Sequence, residues 1–213
     1  QYLHAVAAAL ASLDAIFSLG TIAAEMSFVR PEISDESVVI VKQGRHPLQQ
    51  LTVDNYVPND ILITESRNVA LITGANGSGK SVYLKMVGVL VYLAHIGSWL
   101  PCEKATIGLT DRILTRIGSV ETVSNPSSSF ALDLSQIGKM LSCHTPRSLC
   151  LVDEFGKGTA PSDGLALLAT IVMHFLQQEH KAKAIFVLHF TEILDERILG
   201  ADLRSKLSLF KME

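Results

Sequence analysis

The sequence predicts an α/β domain built on a largely parallel central sheet, preceded by a long helix and a short β-rich segment. Three observations carry this. Short apolar runs at Val69–Thr73, Ser148–Val152 and Ala184–Leu188 alternate with helix-length windows near 80–96, 129–142 and 163–178, the order expected when parallel strands are joined by helical crossovers. The first run feeds straight into a glycine-rich turn beginning at Gly74. Residues 3–26 repeat apolar side chains at Leu3, Val6, Leu10, Leu13 and Phe17, which is helical spacing.

Taken in order, the opening segment reads as one helix that Gly20 weakens without breaking and that Pro31 closes. Its Ala-rich stretch Val6–Ala11 has the look of a secretion-signal core, but no basic residue precedes it and Asp14 follows closely, so a helix is the better reading. Val38–Val41 reads as a short strand, followed by turn signals at Gly44, Pro47, Asn55 and Pro58. From about residue 61 the strand, turn, helix pattern takes over. The expected division is 1–30 as the end of a connecting helix and 31–213 as the α/β domain, with its C-terminal part missing. A start at Gln1 and a stop at Glu213, without a terminal cap, read as a piece of a longer protein.

The chain has 213 residues, enough for one sizeable core. Eighteen Lys and Arg against 21 Asp and Glu give a net charge of −3, so composition offers no basic surface for nucleic acid. Charged residues make up 18% of the chain, against about 25% in a typical domain. With a mean hydropathy of +0.31, this suggests that some apolar surface is covered by a partner or by flanking sequence. No stretch reaches the roughly 18 uninterrupted apolar residues that mark a membrane helix; the best candidate, Met86–Leu100, is broken by His95 and Ser98. Cys102, Cys143 and Cys150 form no CxxC pair, which disfavours zinc and structural disulfides and fits a reducing, intracellular compartment.

Gly74-Ala75-Asn76-Gly77-Ser78-Gly79-Lys80-Ser81 matches the phosphate-loop pattern GxxxxGK[ST]. The pattern needs a strand before it and a helix after it, because successive backbone N–H groups and the helix N-terminus together hold a polyphosphate; both are expected here. Lys80 would reach the β- and γ-phosphates, and the Ser81 hydroxyl would ligate Mg²⁺. The competing reading is an ordinary strand-to-helix turn.

Leu149–Glu154 is an apolar run ending in two carboxylates. In an open α/β sheet, ligands sit at the carboxyl ends of the strands, so this tip can face the same crevice as the loop. Asp153 would hold Mg²⁺, directly or through water, while Glu154 would orient or deprotonate an attacking water. Either acid alone would be an ordinary solvated strand end.

The segment Asp153-Glu154-Phe155-Gly156-Lys157-Gly158-Thr159, continuing through Asp163-Gly164-Leu165, resembles the MutS ATPases, as does Thr73-Gly74-Ala75-Asn76 opening the loop. Further matches are Arg45-His46-Pro47, Tyr56-Val57-Pro58-Asn59-Asp60, Asp111-Arg112-Ile113 and Ser128-Ser129-Phe130, so the likeness covers nearly the whole chain. Phe155 and Lys157 look most like the meiotic type within the family. The resemblance implies a P-loop NTPase of the ABC class, using ATP and Mg²⁺, whose sites form only between two subunits. It also implies a lever role for the opening helix, a homologue-four-type MutS subunit as partner in a heterodimer, branched DNA bound through regions outside this chain, and action in the nucleus.

By the same resemblance, the serines Ser128 and Ser129 reach across the dimer interface toward the partner's γ-phosphate, His189 senses the γ-phosphate, and Tyr56 stacks on adenine. Plain alternatives stand beside these: a helix N-cap for either serine, a structural strand-end histidine, and an edge-strand core tyrosine. The chain departs from the family in two places. Ala75 stands where Pro is usual, freeing φ and loosening the loop, and Val82 stands where many members carry Thr. Arg45-His46-Pro47 has no role beyond a rigid turn. The leading functional expectation is an ATP-hydrolysing motor of a DNA clamp. The alternatives are a nucleotide-dependent dimerisation module with little hydrolysis, a mismatch-repair MutS ATPase, and a P-loop kinase. Glu154 directly after Asp153 argues against the kinase.

Overall fold

The computed structural model describes residues 2–118, 126–178 and 181–212, without the side chains at 126–129, 196–197 and 201. Helix α1 (Tyr2–Glu25) leads into a four-stranded mixed sheet formed by β1 (Glu32–Ser34), β2 (Val39–Gly44), β3 (Asn59–Ile63) and β5 (Lys104–Gly108), in the order β1-β5-β2-β3. The second sheet has five parallel strands in the order β6-β7-β8-β4-β9: β6 (Ile113–Arg116), β7 (Leu149–Asp153), β8 (Lys183–Val187), β4 (Val69–Gly74) and β9 (Leu207–Met212). Helices α2 (Lys80–His95), α3 (Pro126–Cys143) and α4 (Pro161–Gln177) cross between strands, and two short helices, α5 (Glu196–Leu199) and α6 (Ala201–Ser205), lead to β9. The α/β class and the largely parallel sheet expected from the sequence are therefore present.

Period-two alternation explains the layering. Ala70 and Ile72 of β4, Leu149 and Leu151 of β7, and Ile185 and Val187 of β8 pack with α2 and with Val39, Val41, Ile61 and Ile63 of the mixed sheet. Their alternates Val69, Leu71, Cys150, Val152, Ala184 and Phe186 pack against α3 and α4. Alternate residues on a strand point to opposite faces, so the parallel sheet is covered on both, and every residue of β7 and β8 is buried. Burial pushes the Cys150 thiol up to about 12, against the opposing pull of Lys183. Strands β6 and β9 escape the sequence reading: β6 is four residues long, and β9 interleaves its apolar residues with Ser208 and Lys211 as an edge strand does.

Helix α1 runs through Gly20 and ends six residues before Pro31. The stop is a local cap: Ser27 adopts φ 53°, while the Phe28 amide donates to Ala23 O at 2.8 Å and the Ser27 amide to Ala24 O at 3.4 Å. That pairing closes a helix with a left-handed residue without a proline. Of its 24 residues only Ala23 is buried, and Leu3, Leu10, Leu13, Ile16 and Phe17 are exposed. By length and composition alone α1 could cross a membrane, with a mean hydropathy of 1.8 over its best window. The Met86–Leu100 stretch singled out from the sequence is instead core, with Met86, Val87, Leu90, Val91 and Leu100 fully buried, because its length goes into α2 and the turn after it.

The segment between β2 and β3 gains an explanation for Arg45-His46-Pro47. His46 Nδ1 accepts the amides of Leu48 and Gln49, each at 3.3 Å, and so starts the 3₁₀ turn Gln49–Leu51; the His46 amide donates to the Tyr56 hydroxyl at 2.8 Å. A nitrogen that accepts cannot carry a proton, so the ring is the neutral Nε2–H tautomer. Burial, with Lys85 second, holds the His46 pKa below its ordinary 6.5. The unfolded chain then binds a proton that the folded chain resists, so this contribution to stability is complete above the ordinary histidine pKa and is lost as pH falls toward the folded value. Thermal melts are expected to fall between about pH 7.5 and about pH 5.5, and His46→Gln is expected to flatten part of that slope, with His174 acting in the same direction.

Candidate phosphate and metal site

Strands β4, β7 and β8 are parallel, so their carboxyl ends share one edge of the sheet. From β4 the chain turns at Gly74, whose φ of 152° suits glycine; a Cβ there would lie 2.5 Å from Met212 O and 2.9 Å from Ser78 Oγ. Gly77 and Gly79 take φ 81° and 90°, left-handed values that curl the backbone back on itself. Gly79 immediately precedes α2, so the unpaired N–H groups of that helix's first turn open into the loop. Lys80 is 5% exposed and folds inward, donating to Gly74 O and Ala75 O at 2.8 Å each. With Ser78 N bonded to Ala75 O at 3.3 Å, the loop is closed even though Ala75 lacks the proline ring. Asn76, Gly77, Gly79, Lys80, Ser81 and Val82 line a cavity of about 390 Å³ together with Glu154 and Lys157.

The acid tip lies two strands away across β8. Asp153 is 7% exposed, and its Oδ1 is buried with no hydrogen-bond partner. Ser78 Oγ is buried and unsatisfied in the same way. A buried oxygen without a partner is costly; one of these lies in the phosphate loop and the other at the end of β7, and although neither residue lines the cavity itself, each adjoins one that does, which fits a site shaped for a ligand. No cluster of three or more His, Cys, Asp or Glu able to hold a metal occurs among the described residues. One carboxylate and one hydroxyl still suit Mg²⁺, which keeps several waters and takes its remaining oxygens from phosphate. Asp153 and Ser81 would hold it.

Glu154 takes φ 47° while its amide donates to Val187 O at 3.0 Å. Its carboxylate meets Lys157 Nζ at 2.5 Å, a pairing the sequence reading did not foresee. Two further residues escaped it as well. Arg116, at the end of β6, donates to the Asp153 carbonyl and forms a two-pronged ion pair with Asp133 of α3. Residue spacing gives no signal for contacts made across 17 and 37 positions.

The remaining expected residues are distributed around this centre. Tyr56 lines a neighbouring cavity of about 670 Å³ with Gln49, Asn55 and Lys211; the two cavities share Gly77, Gly79 and Val82. Its hydroxyl accepts from His46 and donates to Met86 Sδ at 3.6 Å, and it sits in the loop before β3 rather than in an edge strand. His189 is exposed just past β8, 6.1 Å in ring centroid from Phe190, and is not among the residues lining the phosphate cavity. Helix α3 begins at Pro126, so Ser128 and Ser129 fall in its first turn and not at the cap position; their side chains lie outside the described residues.

Comparison with known proteins places the chain in a family. The family MutS domain V matches residues 70–205. MutS protein homolog 5 of Saccharomyces cerevisiae is 38% identical over 92% of the chain and 23% of its own length. The DNA mismatch repair protein MutS of Carboxydothermus hydrogenoformans is 40% identical over 90% of the chain and 23% of its own length, and msh3 of Emericella nidulans is 37% identical over 91% and 18%. The chain thus spans about a quarter or less of the length of these relatives. More than half of it lies within the matched family region, and the chain belongs to the MutS family.

Proposed function

We propose that this chain is the ATP-binding and ATP-hydrolysing domain of a MutS-type DNA clamp and works with a second subunit. The observation that carries this is the pair of buried, unpartnered oxygens, Ser78 Oγ within the Lys80 loop and Asp153 Oδ1 at the end of β7. The loop amides and the start of α2 hold the triphosphate. Lys80 exchanges its two carbonyl partners for phosphate oxygens, Tyr56 offers its ring face to adenine, and His189 at the end of β8 senses the γ-phosphate. Mg²⁺, which Asp153 and Ser81 would hold, would supply charge neutralisation to the triphosphate. Glu154 accepts the proton of the attacking water. The serines of α3 complete the partner's site, which makes turnover dependent on the assembled pair.

A specific observation favours a second reading. Glu154, the base, is engaged by Lys157 at 2.5 Å, as suits a nucleotide-dependent dimerisation module that turns over slowly. Within the family, Phe155 and Lys157 support a meiotic assignment: crossover recombination on branched DNA, in the nucleus, with a homologue-four-type subunit as partner. Relatives at 38% and 40% identity fall on both the meiotic and the mismatch-repair side. Copurification with a homologue-four-type subunit in preference to mismatch-repair subunits supports the meiotic assignment; the opposite preference moves the chain to mismatch repair.

Two substitutions test the chemistry in the assembled full chain. Glu154→Gln is expected to keep ATP affinity while turnover drops by roughly 10²- to 10⁴-fold; turnover at the parent rate removes Glu154 as base. Lys80→Ala is expected to weaken triphosphate binding in an equilibrium titration with a labelled nucleotide, and unchanged affinity refutes the loop assignment.

A further inference from the structure

Among the described residues, Arg116 is the buried cation next to the acid tip that the proposed chemistry leaves without a task. It ends β6, the edge strand beside β7, and its side chain is 10% exposed. Nε donates to Asp133 Oδ1 at 3.1 Å, Nη2 donates to Asp133 Oδ2, and Nη1 donates to the Asp153 backbone carbonyl. Arg116 does not line the phosphate cavity, so it does not serve as a phosphate ligand here. Its planar fork joins two things instead: a carboxylate two turns into α3 and the backbone of the proposed metal-binding aspartate.

A second contact ties the same elements together. The Phe130 ring of α3 stands 6.3 Å in centroid from that of Phe155, and a Cβ placed at Gly158 would lie 3.0 Å from Phe130 Cβ. The first turns of α3 therefore grip the loop 153–158 at both ends. Burying an ion pair costs desolvation that a packed apolar pair would avoid, and a fork aimed at a main-chain carbonyl fixes backbone position more tightly than a flexible ammonium can.

We infer that Arg116 is a positioning residue that couples α3 to the acid tip, so that displacement of the α3 N-terminus by a docking subunit shifts the Asp153 and Glu154 backbone. This rests on the ATPase reading above. Asp133→Asn keeps the shape of the side chain and removes the charge. In the full chain assembled with its partner subunit, that variant is expected to lower kcat by about 10- to 100-fold, with KM and nucleotide affinity within twofold of the parent. Arg116→Lys is expected to behave alike, and the double variant to lose little more than the worse single one. Asp133→Glu, which keeps the pair, is expected to restore most of the rate.

Amide hydrogen exchange supplies a readout independent of turnover. In the parent, binding of a non-hydrolysable ATP analogue is expected to protect 126–133 and 153–158 together, and Asp133→Asn is expected to separate the two. Parent kcat in folded Asp133→Asn, additive losses in the double variant, or protection that stays joint would each overturn the coupling. So would loss of nucleotide binding in step with melting temperature, which marks a purely structural ion pair. A parent that binds ATP without hydrolysing it fails the hydrolysis reading alone, and the exchange experiment still decides the coupling. A parent that binds no nucleotide overturns both.

Discussion

The site depends on a sheet whose strands all run the same way and are wrapped on both faces. Because β7 and β8 are wholly buried, their polar ends can emerge only at the rim, and parallel pairing brings every carboxyl rim to one side. The glycine loop, the acid tip and the exposed histidine end strands on the same rim for that reason, although 115 positions separate Gly74 from His189 in the chain. The mixed sheet clamps α2 from the other side, so the helix that follows the glycine loop is held between two layers. Its register cannot drift without disturbing both.

The main elements and the loop were legible in the sequence because their signals are local. A buried parallel strand reads as a continuous apolar run, a phosphate loop as glycines at fixed offsets, and an acid tip as two adjacent carboxylates. Helices α2, α3 and α4 fall within a few residues of the windows that periodicity gives. The end of α1 falls within one residue of the sequence expectation, but its cause differs: Ser27 in a left-handed conformation closes the helix before Pro31 is reached. Short β6 and half-exposed β9 lack both length and a clean alternation.

The parts of the site that escaped are those made by side chains distant in sequence. Nothing near Arg116 announces Asp133 or the Asp153 carbonyl, and Lys157 reads as a family marker until its ammonium is found on Glu154. His46 belongs with these: its neighbours suggest a turn, but only folding shows that one ring nitrogen gathers two amides. Short-range chemistry is spelled out in the chain, and long-range chemistry is supplied by topology.

The inward fold of Lys80 carries one more consequence. Its ammonium is satisfied by two carbonyls of its own loop, so the curl of that loop is held by contacts within the chain. A guest enters by trading partners with the lysine instead of organising a slack segment, and the entropic toll that a floppy receptor exacts is already met when the chain folds.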